Sequence, residues 1–377
     1  MTKAHEIVQF LPSLRAREDG VADYARLLAG ALRDQAGIAS RWLVGDPVDL
    51  APDAGDRYGE SAMQLKSRSP EQVAAALRAL CGTADGTARR TVLLHYANYG
   101  YASRGCPQWL VEGLARWKAG DTRARLAVMY HEVYASGPPW RSAFWLAPLQ
   151  RRLAERLLAL ADQAITSTEL YRRMLAAPGG RPTKPILVVP VFSTIGEPAD
   201  DMPWDARRPW LAVLGRAGTE ARAYERQRAA LASMTQALQL DEIVDIGARS
   251  RPVPAKLGGV RVRATGYLPR EEVSKLLRSC RAGFLDYPSD VLGKSTVFAA
   301  YCAHGVVPLV TRLRGAGLDG LREGAHFLVA RADAGGAAAS PQSLAKVSRT
   351  VAAWYRDHNL AAQAAALSGM LDRCSSG

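Results

Sequence analysis

Short apolar runs alternate with helical stretches along nearly the whole chain, and this alternation limits the fold more than any other feature. The first half offers EIVQFLP (6–12), SRWLVG (40–45), TVLLHYAN (91–98), RLAVMYHE (125–132), QAITST (163–168) and ILVVPVF (186–192). The second half offers WLAVLGR (210–216), EIVDIG (242–247), VRVRATGYL (260–268), AGFLDYP (282–288), VVPLVT (306–311) and HFLVA (326–330). Several are apolar almost throughout, as strands covered on both faces must be. Helical patterning falls between them, over 21–36, 70–81, 106–118, 146–162, 168–177, 220–238, 270–279 and 294–304. Strand and helix in strict alternation predict parallel sheets with helices on both faces.

The series breaks once. STIGEPADDMPWDARRP (193–209) is polar, carries three prolines and separates two βα series. The expected architecture is α/β, with two Rossmann-like, doubly wound domains facing a central cleft. Residues 1–192 form the first domain, 193–209 the linker and 210–345 the second domain, with a helical segment over 346–377. In such sheets ligands bind outside the carboxyl ends of the strands, so the site is expected in the cleft.

Charge narrows the partners. With 49 Lys and Arg against 36 Asp and Glu, the formal net charge is +13. That excess suits phosphorylated ligands, polyanions or an anionic membrane surface. The arginines are dispersed and no nucleic-acid-binding motif occurs, so no nucleic acid partner is expected. The five cysteines show neither a pairing pattern nor metal-ligand spacing, and the six histidines are scattered. No zinc site and a reduced, cytoplasmic setting are expected. The N-terminus lacks the apolar segment of a secretory signal, and no run is long enough to span a membrane.

GKST (293–296) raises the question of a nucleotide-binding P-loop. That motif needs a glycine five residues before Gly293, where this chain has Pro288. The loop therefore cannot wrap a phosphate in the P-loop manner. Its position still matters, because it joins the strand pattern AGFLDYP to a helix beginning near Lys294. Gly293, Lys294, Ser295 and Thr296 bring free N–H groups, a cation and hydroxyls to a helix N-terminus, which favours an anion. The plainer alternative is a capped helix, with Ser289, Asp290, Ser295 or Thr296 as the cap.

The order of these segments resembles the GT-B glycosyltransferases, closest to their large group-4 type of retaining, metal-independent enzymes, over nearly the whole chain. DGVADYARLLAGAL (19–32) resembles the family's N-terminal glycine loop and first helix. YHEVYASG (130–137) resembles the strand end that carries a functional histidine, and VLGRAGTEAR (213–222) the segment that opens the second domain. GYLPREEVSKLLRSCRAGFLDYPSD (266–290) resembles the part that contacts the base, and GKSTVFAAYCAHGVVPLV (293–310) the region around the donor. The resemblance implies a glycosyltransferase that moves a sugar from a UDP- or GDP-sugar donor to a polysaccharide, glycolipid or related acceptor, with no metal or other cofactor. It implies donor contacts at Gly20, Val21, Arg216, Arg222, Gly293, Lys294, Ser295 and Thr296, and catalytic roles for His131 and Arg216. Departing bonds to a nucleoside diphosphate develop negative charge, which Arg216 and Arg222 would stabilise in place of a metal. For Arg222 the alternative is a solvated helix residue. His95, Tyr96, Asn98 and Glu132 are candidates for the acceptor side.

Two family carboxylates are missing: aligned on Gly305, their places hold Leu292 and Ala300. A non-catalytic nucleotide-sugar-binding or scaffolding protein with the same fold is the alternative function. GPPWRSAFWLAPLQRRLAERLLALADQ (137–163) sets Trp140, Phe144 and Trp145 beside Arg141, Arg151, Arg152 and Arg156, with leucines at helical spacing. One reading is a contact with anionic lipid on the inner face of the cytoplasmic membrane. The other turns the leucines to the core and the arginines to water.

Overall fold

The computed structural model describes residues 6–14, 20–47, 62–82, 91–135, 139–176, 184–215, 218, 222–315, 317–333 and 340–376, the last five by backbone only. The chain forms two compact units: residues 1–189 together with 360–377, and residues 190–359.

In the first unit the strands are β1 (Glu6–Leu11), β2 (Ala39–Val44), β3 (Ala62–Gln64), β4 (Thr91–Tyr96), β5 (Arg125–Tyr130), β6 (Gln163–Thr166) and β7 (Ile186–Val188). They pair in the order β3-β2-β1-β4-β5-β6-β7, every pairing parallel. The chain builds outward from β1 to β3, then crosses to the other side of β1 and builds outward again from β4. This reversal makes the edge between β1 and β4 the topological switch point. Alternate side chains of β1 serve opposite faces of the sheet. Val8 and Phe10 join the core under the helices Pro70–Cys81, Gln108–Ala119 and Ser142–Leu160. Leu11 meets Ala22, Ala25 and Ala29 of the first helix, Gly20–Ala36, together with Trp42 and Val44 of β2.

Local chemistry sets the helices. Ser69 accepts from the Gln72 amide and Pro70 occupies the first turn, so Pro70–Cys81 starts where its unpaired N–H groups are satisfied. This helix packs tightly on Gln108–Ala119, because a Cβ on Gly113 would lie 2.5 Å from Val73 Cβ. The final helix, Leu360–Ser376, also belongs to the first unit and lies on the first helix. Ala364, Leu367, Met370 and Leu371 are buried there.

The second unit contains β8 (Arg208–Leu214), β9 (Glu242–Ile246), β10 (Lys256–Leu257), β11 (Val260–Ala264), β12 (Cys280–Pro288), β13 (Val307–Arg312) and β14 (Leu328–Val329). Their order is β10-β11-β9-β8-β12-β13-β14, parallel apart from the β10–β11 hairpin. The switch point here lies between β8 and β12. The Tyr301 hydroxyl bridges these strands, accepting from the Leu214 amide at 3.0 Å and lying 3.1 and 3.2 Å from the Phe284 and Ala212 carbonyls. The backbones after β8 and β9 nearly touch: a Cβ on Gly247 would lie 1.9 Å from the Gly215 carbonyl oxygen, and Gly247 has φ of 120°. Only glycine fits such a crossing.

Three expectations change. The short edge strands β3 and β10 were not anticipated. The segment 220–238 is not one helix but a π-helical turn, Arg222–Arg226, followed by the helix Arg228–Ala237. The helical tail divides into Pro341–Arg356 and Leu360–Ser376, broken where His358 lies over Trp354 with ring centroids 4.4 Å apart.

Candidate functional sites

The switch point of the first sheet gathers a buried polar chain. His131 directly follows β5, its amide donating to the Tyr96 carbonyl at 2.9 Å. Its Nε2 lies 3.0 Å from Nδ1 of His95, in β4. His95 Nε2 lies 2.9 Å from Gln9 Oε1, in β1, and Gln9 Nε2 donates to Ser40 Oγ, in β2, at 2.8 Å. Four adjacent strands thus hold four polar side chains in one line. His131 is half-buried, whereas Gln9 and His95 are fully buried. Burial, and then the charge of a protonated His131, hold the His95 pKa well below the ordinary histidine value. Tyr24, one turn into the first helix, sets its ring edge against both imidazoles, with centroids 5.1 Å from His131 and 6.1 Å from His95. Its hydroxyl donates to Gln363 Oε1 at 2.7 Å.

The other sequence candidates of this unit divide by burial. Gly20 is exposed at the start of the first helix, and a Cβ there would meet no heavy atom within 4 Å. Val21 and Glu132 are half-buried. Tyr96 is fully buried with its ring edge on Tyr130, and burial pushes its phenol pKa up. Asn98 is buried as well, accepting from the Tyr99 amide and donating to the Gly105 carbonyl. Together with His95, these two hold the strand ends and the turn after β4 and offer no exposed polar atom to a ligand.

In the second unit the GKST segment follows β12 at the second switch point. Ser289–Lys294 is a 3-10 turn, and the helix starts at Thr296, later than the sequence suggests. Ser295 is its cap, accepting from the Phe298 amide at 3.2 Å. The Gly293 carbonyl accepts from the Val191 amide, while Lys294 and Thr296 are half-buried. Arg222 is exposed at the start of the turn that follows β8. Arg216 lies outside the described residues. Leu292 and Ala300 are completely buried, so the places of the missing carboxylates are filled by core packing. His304 is structural: Nδ1 is 2.7 Å from the Ala300 carbonyl oxygen and Nε2 is 2.8 Å from Ser274 Oγ. Burial lowers its pKa to about 4.

Several residues escaped the sequence reading. Gln9 left a signal, since one amide inside the apolar run EIVQFL must find a buried partner. Tyr24, Ser40 and Gln363 left none. Asp245, fully buried in β9, takes a two-pronged ion pair from Arg249 at 2.6 and 2.9 Å and a hydrogen bond from the Tyr224 hydroxyl at 2.6 Å. Because Tyr224 belongs to the Arg222–Arg226 turn, this network moors that turn to β9. Asp286, near the end of β12, accepts from Thr311 Oγ1 and from Gln227 Nε2.

The segment 137–163 behaves in two ways. Leu153 and Leu157 are buried, and Leu149 and Leu160 pack against the same core, so the leucine stripe faces inward. At the helix start Trp140 is 82% exposed and Trp145 71%, with Phe144 and Arg141 exposed beside them. Among the described residues no group of His, Cys, Asp and Glu is arranged to hold a metal, and no helix is long and apolar enough to cross a membrane.

No protein-family model and no curated protein matches the sequence. Solved structures do. A glycosyltransferase from Rickettsia africae ESF-5 superposes with a TM-score of 0.64 at 11% identity, covering 99% of both chains. The pneumococcal O-GlcNAc transferase GtfA, in complex with UDP and GlcNAc, gives 0.61 at 10% identity over 100% of both chains. The lipopolysaccharide outer core galactosyltransferase WaaB gives 0.57 at 12% identity, covering 97% of this chain and 99% of that one. Likeness at such low identity is a likeness of fold, and it agrees with the two seven-stranded, doubly wound sheets: the chain has the GT-B fold of glycosyltransferases.

Proposed function

We propose that the protein is a nucleotide-sugar-dependent glycosyltransferase, retaining and metal-independent, acting on a polysaccharide, glycolipid or related acceptor. The observation that carries this reading is the coincidence of candidate residues with both switch points. His131 and the start of the first helix lie at one, and Gly293–Thr296 and the Arg222 turn at the other. In doubly wound sheets these edges are where ligands bind. The second unit holds the donor, UDP- or GDP-linked. Lys294, Arg222 and Arg216 supply positive charge to the diphosphate, and the amides at the start of the Thr296–Ala303 helix add oriented N–H groups. As the glycosidic bond breaks, charge grows on the leaving phosphate, and fixed cations stabilise that state more than the ground state.

The first unit holds the acceptor, and His131 serves the reacting centre. Gly20, with open space where a side chain would stand, lets a ligand approach the first helix closely. The exposed Trp140, Phe144 and Trp145 beside Arg141 form a contact with an anionic membrane surface, which suits a lipid-linked acceptor reached from the cytoplasm.

Calorimetry with UDP, GDP and their sugars tests the donor assignment. Lys294→Ala is expected to weaken nucleoside diphosphate binding about tenfold or more, the scale of one charge-assisted hydrogen bond, and to leave nucleoside binding unchanged. Equal loss for both ligands refutes the phosphate role of Lys294. Binding without sugar transfer to any acceptor favours the non-catalytic reading, which the apolar packing of Leu292 and Ala300 supports.

A further inference from the structure

We propose that His95 is a positioning residue that fixes the tautomer of His131, holding its proton on Nε2 and its lone pair on Nδ1. The inference deepens the role assigned to His131 above and rests on that reading only for its use in catalysis.

The chain of donors and acceptors runs in one direction. Ser40, Gln9 and His95 are each 2% exposed or less, so their polar atoms must be paired within the protein. Gln9 Nε2 donates to Ser40, which turns Oε1 toward His95 as an acceptor. His95 Nε2 must therefore carry a hydrogen. Burial keeps His95 neutral, so its Nδ1 has a lone pair and can only accept. The atom 3.0 Å away, His131 Nε2, must then be the donor. The ring planes lie within 18° of each other and the centroids 5.3 Å apart, a separation that sets the two facing nitrogens end to end rather than ring over ring. In a neutral imidazole, a hydrogen on Nε2 leaves Nδ1 as the basic atom.

The same order decides where charge resides. His131 can take a proton on Nδ1 and keep its bond to His95. A proton on His95 Nδ1 would face the His131 N–H and break that bond, in a place already shielded from water. The pair therefore holds a single charge, on His131. Of the other groups facing the pair, Gln9 and Gln363 are neutral amides. Tyr24 is kept protonated by burial, and its hydroxyl is committed to Gln363. Among the described residues, the acidic chain neighbour of His131 is the half-buried Glu132.

Long-range proton–nitrogen NMR of the protein labelled with 15N-histidine reads the tautomers directly, with no donor or acceptor in the sample. Both rings are expected to show the Nε2–H pattern, and His131 to gain its acid proton at Nδ1. His95→Leu is expected to lower the share of the Nε2–H tautomer at His131. His95→Asn should restore the Nε2–H pattern, because its amide oxygen can occupy the place of Nδ1. If His95→Leu does not fold, as judged by circular dichroism, Gln9→Met serves instead and should lower the share of the Nε2–H tautomer at both rings. An Nδ1–H pattern for His131 in the native protein overturns the proposal, as does an unchanged pattern once His95 or Gln9 is replaced. Failure of sugar transfer would count against the enzymatic reading and leave this measurement untouched.

Discussion

Replacing Arg249 by methionine should unfold the second unit at far lower denaturant. Asp245 is fully buried and the Arg249 side chain is 8% exposed, so water screens little of their attraction. The variant removes both guanidinium hydrogen bonds to Asp245, along with those to the Val213 and Ile246 carbonyls, and leaves a buried carboxylate that keeps the hydrogen bond from the Tyr224 hydroxyl. Breaking a buried ion pair from one side costs about 3–5 kcal/mol, because the surviving charge stays desolvated. With a urea slope of about 1–3 kcal/mol per molar, the midpoint should fall by roughly 1–5 M. Urea titration followed by circular dichroism measures this. The double variant Asp245→Asn/Arg249→Met removes the orphaned charge and should recover much of the loss. Two results would refute the reasoning: a single variant that loses less than about 1 kcal/mol, or a double variant no more stable than the single. Because the same network anchors Tyr224, the proposed donor role of Arg222 predicts that the single variant also weakens diphosphate binding.

Other expectations follow from packing, burial and exposure. Gly113→Val should lower stability by about 1–3 kcal/mol through overpacking against Val73, and Val73→Ala in the same chain should relieve it; thermal unfolding reads both. His304 is held neutral, with a folded pKa of about 4 against an ordinary value near 6.5. A depressed folded pKa gives stability that is present above pH 6.5 and lost as pH falls toward 4, roughly 3 kcal/mol in all. His304→Gln should flatten that stretch of the stability–pH curve, and an unchanged slope would reassign it to other groups. Flotation with anionic liposomes should recover the native protein, and Trp140→Ser/Trp145→Ser should reduce recovery severalfold. Equal recovery on neutral lipid would discard the electrostatic part of that contact.

The sequence made the two sheets legible because buried parallel strands are written as nearly unbroken apolar runs, from EIVQFLP to HFLVA. It hid β3 and β10, which are three and two residues long and too short for any period to register. The break after Arg356 was hidden too, because no proline or glycine marks it. At the sites, strand-end position singled out His131 and the GKST turn. The same criterion placed His95, Tyr96 and Asn98 beside a ligand, although all three are buried. A strand end shows where a side chain leaves the sheet, but not whether another element covers it. Tyr24 and Gln363 meet across 339 positions of sequence, and no local pattern encodes such a contact.

That long-range contact also bears on how the protein is made. The first unit needs residues 360–377, which are synthesised after the whole of the second unit. Until they emerge, Tyr24, Leu28, Leu93, Met129 and Ile165 lack the helix that helps enclose them. A nascent chain must carry that apolar face uncovered while the entire second unit is translated. A stop codon at position 360 would leave the second unit complete and damage the first, about 170 residues upstream of the lesion. For this chain, the last turns of helix are as much a part of the N-terminal histidine cluster as the strands that bear it.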